Sequence, residues 1–346
     1  MLHDRRWRFL LVLPLLAAAV ALFIFRGPDW QLVNDAFTIV SWQWVFAAIG
    51  LNLLSVLARA LAWDTTIKQS LDPPYPRFPT VFSAFSVGLF ANAVLPGRVG
   101  ELARVAVLRR RVSGPRGTTA TLIGSVFAHR MFDVFPATAL VIWVLLAAKI
   151  PGWALTSIAV VLALGVALFV AAILLARRAH RDALEGLGPV RQLLARARQG
   201  LAVMRSPVSA ATAAAFQFAG WFCQLLAVWS AMYAFHIHEQ IAAAGLVLVL
   251  INVATIFPLW PGNFGLVQIA VALPLVNYGV PYARGFAFGI GLQAIEASVG
   301  VGVGLIFLAR EGISYAMLKA FEDAPAEAVA EIVDPESGRA RSRIAG

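Results

Sequence analysis

Apolar residues run along this chain in long blocks, without the alternation of a half-buried strand or the one-sided stripe of a soluble helix. Blocks at 9–25, 42–63, 119–148, 153–176, 208–235 and 284–309 carry few charges, and each is near the roughly 20 residues that a membrane-crossing helix needs. Two further blocks, 81–108 and 241–278, are apolar but interrupted by Pro and Gly. The pattern predicts an all-α, polytopic membrane helix bundle with two Pro/Gly-broken segments, forming one transmembrane domain over 1–310. From 311 to 346 the chain is Ala-rich, with seven acids against four bases and no sustained apolar period. That segment is expected to be a mostly disordered cytoplasmic tail.

The polar positions between the blocks orient the chain. Connections at 1–8, 64–80, 109–117 and 177–207 carry 3, 2, 4 and 7 Lys/Arg, whereas those at 26–41, 149–152, 236–240 and 279–284 carry 1, 1, 0 and 1. By the positive-inside rule the first set is cytoplasmic, which puts both termini inside a plasma (inner) membrane. The connection 177–207 has only two acids beside its seven Arg, fitting either an amphipathic helix on anionic headgroups or a solvated loop. Trp42, Trp44, Trp63 and Trp153 fall at block ends, where an aromatic belt would sit. The first block follows Arg5, Arg6 and Arg8 without a clear small-residue cleavage site and reads as a retained signal-anchor.

Because the connections flanking 81–108 are both on the basic side, that block enters and leaves on one face and reads as a re-entrant hairpin. Its break is Pro96-Gly97-Arg98-Val99-Gly100-Glu101. A first arm of 15 residues rises about 22 Å, to or just beyond the midplane of a ~30 Å hydrocarbon core. The block 241–278 has the same parity from the other face and breaks at Pro261-Gly262-Asn263-Phe264-Gly265, with arms long enough that two full crossings are the other solution. Both breaks read Pro-Gly-x-x-Gly, 165 residues apart. Paired interruptions from opposite faces suit an inverted repeat with a binding site between its halves.

Ionisable residues inside spans cost about 2.5–3.5 kcal/mol each on insertion scales, so their positions are informative. Arg98, Glu101 and Arg104 surround the first break, with Glu101 and Arg104 on one helical face. His129, Arg130 and Asp133 lie 10–14 residues into the next block, about 15–21 Å deep. Glu296 lies about 18 Å into the last block, counted from its outer end. These charges suit either a wet substrate path or structural pairing of Arg130 with Asp133 and of Arg104 with Glu101. Arg59, near the cytoplasmic end of its block, is expected to snorkel. Asn52, Asn92, Asn252, Gln217, Gln224, Gln268 and Gln293 suit interhelical hydrogen bonds.

Composition narrows the chemistry. Apolar residues make up 60% of the 346 and charged residues 13%, and the net charge of +10 is distributed as a topology signal, not as a nucleic-acid face. A single cysteine, Cys223, excludes an internal disulfide or a multi-Cys metal site. No Walker A pattern is present, and no cofactor is indicated.

Three motifs in order carry a family resemblance: Asn92 to Arg104 with its Pro96-Gly97-Arg98-x-Gly100-Glu101 core, the Arg130-x-x-Asp133 pair, and Pro261-Gly262-x-x-Gly265. Over roughly residues 40–310 the chain resembles the flippase-like transmembrane domain of lysylphosphatidylglycerol synthases and stand-alone proteins similar to it. The resemblance implies translocation of a membrane lipid, a phospholipid or other phosphate-bearing lipid, with Arg98, Glu101, Arg104, Arg130 and Asp133 as the matching polar positions. Val267 and Gln268 stand where the family often has an Arg-Glu pair, so a coupling carboxylate in the second half would have to be Glu296; no aminoacyl-transfer domain follows Arg310, so the chain is not expected to be an enzyme. The candidate substrate-binding set is Asn92, Pro96, Gly97, Arg98, Gly100, Glu101, Arg104, Arg130, Asp133, Pro261, Gly262, Gly265 and Glu296. The competing readings are a membrane-embedded enzyme using Glu101 or Asp133 on a lipid-linked phosphate, and a non-transporting scaffold for a soluble partner. A homo-oligomer is compatible with each.

Overall fold

The computed structural model of the protein describes residues 27–95, 99–112, 118–153, 155, 156, 160, 163, 206–256 and 263–312. The block 9–25, most of 153–176, nearly all of 177–207, the tail beyond 312, and Pro96, Gly97, Arg98, Pro261 and Gly262 lie outside the described residues. Among those described there are nine α-helices and no strand: α1 Trp30–Thr38, α2 Trp42–Ser70, α3 Phe78–Val94, α4 Gly100–Arg111, α5 Thr118–Ala147, α6 Pro207–Ala234, α7 Ile241–Ala254, α8 Leu266–Val276 and α9 Tyr282–Glu311. Of these, α2, α5, α6 and α9 are long and apolar enough to cross a membrane.

Local chemistry explains most of the boundaries. Asp29 caps α1 by accepting from the backbone N–H of Gln31 and Leu32, and Pro sits in the first turn of α3 and of α6. Gly312, at φ 63°, closes α9 in the left-handed conformation that glycine adopts freely. Helix α2 continues seven residues past the expected end at Trp63, through the Lys68–Asp64 ion pair (2.6 Å) one turn apart. Trp63 is therefore no belt residue: it is fully buried, and its indole N–H donates to Ser125 Oγ at 3.2 Å.

The helices form two triples, each a long helix, a broken pair and a long helix: α2, α3/α4, α5 and then α6, α7/α8, α9. Ser41 N donates to Ala234 O at 2.9 Å and Ser55 Oγ to Gly220 O at 2.7 Å. Fourteen residues forward on α2 are thus fourteen residues back on α6, so the two lead helices run antiparallel and the second triple is inverted on the first. Within the first broken pair, Gly88 packs on Gly100 and Arg104 while Asn92 Oδ1 accepts from Gly100 N at 2.8 Å. Arms α3 and α4 are therefore antiparallel.

That pair opens at the end of the bundle where Glu311 accepts from Ser83 (2.7 Å) and Arg111 (3.0 Å). The pair α7/α8 opens at the opposite end. There Gly245 packs on Trp143 and Val144, and the Tyr278 hydroxyl accepts from Lys149 N at 2.8 Å. Arms α7 and α8 have 14 and 11 residues, rising about 21 and 17 Å, each short of a ~30 Å core.

The inside of the bundle holds Trp63, Phe85, Leu108 and Leu122 around the first pair and Phe235, Leu248, Leu275 and Phe288 around the second. Large apolar side chains also cover the outside: Phe46 is 68% exposed, Leu146 83% and Ile306 67%. An exterior this apolar is stable in acyl chains and not in water.

Candidate functional site

Two cavities with polar linings adjoin beside the first broken pair, and the larger reaches the second. The smaller, about 160 Å³, is lined by Ser55 and Arg59 of α2, Gly88 and Asn92 of α3, Gly100, Glu101 and Arg104 of α4, His129 and Arg130 of α5, and Gln224 of α6. The larger, about 480 Å³, is lined by Asn92 and Leu95, by Asn252, Thr255, Asn263 and Val267 flanking the second break, and by Gln293 and Glu296 of α9. They share Leu89, Asn92 and Arg130. Arg130 thus stands at their junction, twelve residues into α5, or about 18 Å along its axis, with its side chain 48% exposed to the opening.

Arg130 is fixed by two carboxylates. It ion-pairs with Glu101 across to α4, and its Nη1 donates to Asp133 Oδ2 at 3.1 Å. Asp133 is fixed from behind: its Oδ1 accepts from Gln217 Nε2 and from the Trp221 indole N–H, both at 3.0 Å. Gln217 Nε2 also donates to His129 O at 3.2 Å, tying α6 to α5. The expected Arg130–Asp133 pairing is present. The expected Glu101–Arg104 pair is replaced by Glu101–Arg130, because Arg104 turns inward beneath α3, its guanidinium 4.7 Å from the Trp63 ring centroid and 5.5 Å from that of Phe85.

Arg59 does not snorkel. Its Nη2 donates to Gln224 Oε1 at 2.5 Å, and the guanidinium sits 5.1 Å from the Trp221 ring centroid. Gln224 of α6 thus holds the half-buried arginine of α2. Nothing in the linear order signals this, since Arg59 lies within two turns of a tryptophan that hydropathy places at the interface.

The second break is held by amides. Gln268 is fully buried; its Oε1 accepts from Gly265 N and its Nε2 donates to Gln293 Oε1, both at 2.6 Å. Gly265, at φ 90°, and Asn263, at φ 44°, turn the chain into α8, and Asn263 Nδ2 donates to Ala254 O at 3.2 Å across the break. Where the family often has a charged pair, this chain therefore has a neutral helix cap. Of the predicted site residues, Asn92, Gly100, Glu101, Arg104 and Arg130 line the smaller cavity, Glu296 the larger, Asp133 stands directly behind Arg130, and Gly265 begins α8. No group of three or more His, Cys, Asp or Glu is placed to hold a metal among the described residues.

Comparison with protein families gives a match to the one described as lysylphosphatidylglycerol synthase TM region over residues 8–304. Neither curated proteins nor solved structures give a match.

Proposed function

The chain belongs to the family of the lysylphosphatidylglycerol synthase TM region, and from that premise we propose that it is a lipid flippase, passing a headgroup between leaflets through the two joined cavities while the acyl chains stay in the bilayer. The carrying observation is Arg130: a half-exposed cation, mid-helix, open to both cavities and balanced by carboxylates from two helices. An ion pair this deep in a membrane bundle is stable when a wet path solvates it. In this reading α3/α4 and α7/α8 are re-entrant pairs from opposite faces of an inner membrane, each bringing irregular backbone to the substrate path, where it is tolerated. Both termini are cytoplasmic, and no covalent step occurs.

The test is flipping of headgroup-labelled phospholipid in vesicles containing the purified chain, compared with Arg130→Ala and Glu101→Gln at matched insertion and with Arg310→Gln as a surface control. Removing either partner of a charged hydrogen bond costs about 1.5–3 kcal/mol. The expected result is a rate lowered about tenfold or more in both site variants and unchanged in the control. Equal rates in all four proteins would reject the path.

A further inference from the structure

Arg104 is only 4% exposed, yet no described carboxylate ion-pairs with it, and its Nε and Nη2 have no hydrogen-bond partner among the described residues. The adjacent Trp63 and Phe85 rings offset only part of the cost of taking this cation out of water. Rings do not accept the in-plane N–H groups, so these donors remain unused. Arg59 repeats the situation on the wall formed by α2: Nη2 is taken by Gln224, and Nε is buried without a partner. Arg130 differs from both, being engaged by Glu101 and Asp133.

Arg104 and Arg59, which between them carry three buried nitrogens without a partner, both line one cavity of about 160 Å³, room enough for a phosphoryl group. The geometry points to a phosphoryl-binding subsite made by Arg104 and Arg59, with Arg130 as the gatepost beside it and not a ligand. Planar guanidinium forks match phosphoryl oxygens better than a point charge does. Glu101 Oε2, also buried without a partner, accepts from a hydroxyl of the same ligand or from water. The lipid source of that phosphoryl group rests on the flippase reading; the anion site does not.

Titration calorimetry on the full chain in detergent tests the subsite, using three probes: dihexanoylphosphatidic acid, dihexanoylglycerol and inorganic phosphate. The expected result is binding of the phosphatidic acid, at least about tenfold weaker binding of the diacylglycerol, and a loss of about tenfold or more in Arg104→Gln. Arg104→Lys, which keeps the charge without the fork, falls between, and Arg310→Gln is unchanged. Where Arg104→Gln does not yield a monodisperse protein, Arg59→Gln is read in the same titration and weakens binding several-fold.

Equal affinity for the phosphatidic acid and the diacylglycerol, or affinity indifferent to both arginines, overturns the subsite. Inorganic phosphate bound as tightly as the phosphatidic acid keeps the anion site and overturns its lipid assignment. Binding without flipping rejects the translocation reading and leaves the subsite standing; flipping with Arg104-independent binding does the reverse.

Discussion

Asp133 accepts from Arg130 on one oxygen and from Gln217 and Trp221 on the other. An amide in its place has one acceptor where the carboxylate has two, so Asp133→Asn leaves at least one of these donors facing an N–H group. Losing a hydrogen bond to a charged group costs about 1.5–3 kcal/mol, and the expected outcome is a clearly lower unfolding midpoint in detergent with the chain still inserted; an unchanged midpoint would show that the three contacts do not hold the helices. Gly100 is constrained by shape. A Cβ there would lie 2.1 Å from Gly88 O and 2.5 Å from Asn92 Cγ, and a backbone oxygen cannot swing away as a side chain can. Gly100→Ala is expected to force α3 and α4 apart, lowering the melting midpoint by the equivalent of about 1–3 kcal/mol, measured on the same material. At this scale the sequence shows which residues are out of place in lipid, because charge inside an apolar block needs no partner to be conspicuous. It does not show the partners. Glu101 and Arg104 satisfy the helical spacing for a pair, yet Glu101 meets Arg130, 29 positions away, and the burial of Trp63 and the inward turn of Arg59 depend on α4, α5 and α6 closing over them.

Elements were more legible than contacts. Apolar block length predicts α2, α5, α6 and α9, and Pro and Gly predict both breaks, since both signals are local. The short α1 escapes because nine residues in an extramembrane connection leave no long apolar run, although Asp29 caps it and Trp30 packs edge-on to Phe286. The packing of α3 on α9 is likewise hidden: Gly304 lies where any Cβ would be 2.3 Å from Phe90 Cβ, and an ideal Cβ on Gly300 lies 4.0 Å from Ala93 Cβ. That last distance is within the Cβ–Cβ range of a disulfide. Ala93→Cys with Gly300→Cys, in a Cys223→Ala background, is expected to cross-link under mild oxidation and to change mobility on a non-reducing gel after proteolysis between the two positions. Absence of the link in well-inserted protein would place α9 elsewhere.

For the molecule as a whole, the positive-inside pattern and the parity of the breaks imply that the two triples face opposite ways, and the antiparallel register of α2 and α6 agrees. Which end faces the cytoplasm is an expectation from charge alone and is directly measurable. In the Cys223→Ala background, Gln240→Cys is expected to react with an impermeant maleimide on intact cells and Gln69→Cys only after permeabilisation; the reverse pattern would invert the bundle. The two halves share an arrangement of helices but differ in chemistry: guanidiniums and carboxylates of α2, α4 and α5 on one side, and on the other mainly amides of α6, α8 and α9, with Glu296 as the exception.

The contact made by Glu311 also bears on how the chain is made. Five of the twelve residues of α4 are charged, so this arm is poorly suited to lipid until neighbours cover it. Its clasp through Arg111 is 200 residues downstream, and ribosomes add about 5–20 residues per second. The first hairpin is therefore synthesised about 10–40 s before the helix that closes over it, and until then Ser83 and Arg111 lack the carboxylate that ties both to α9.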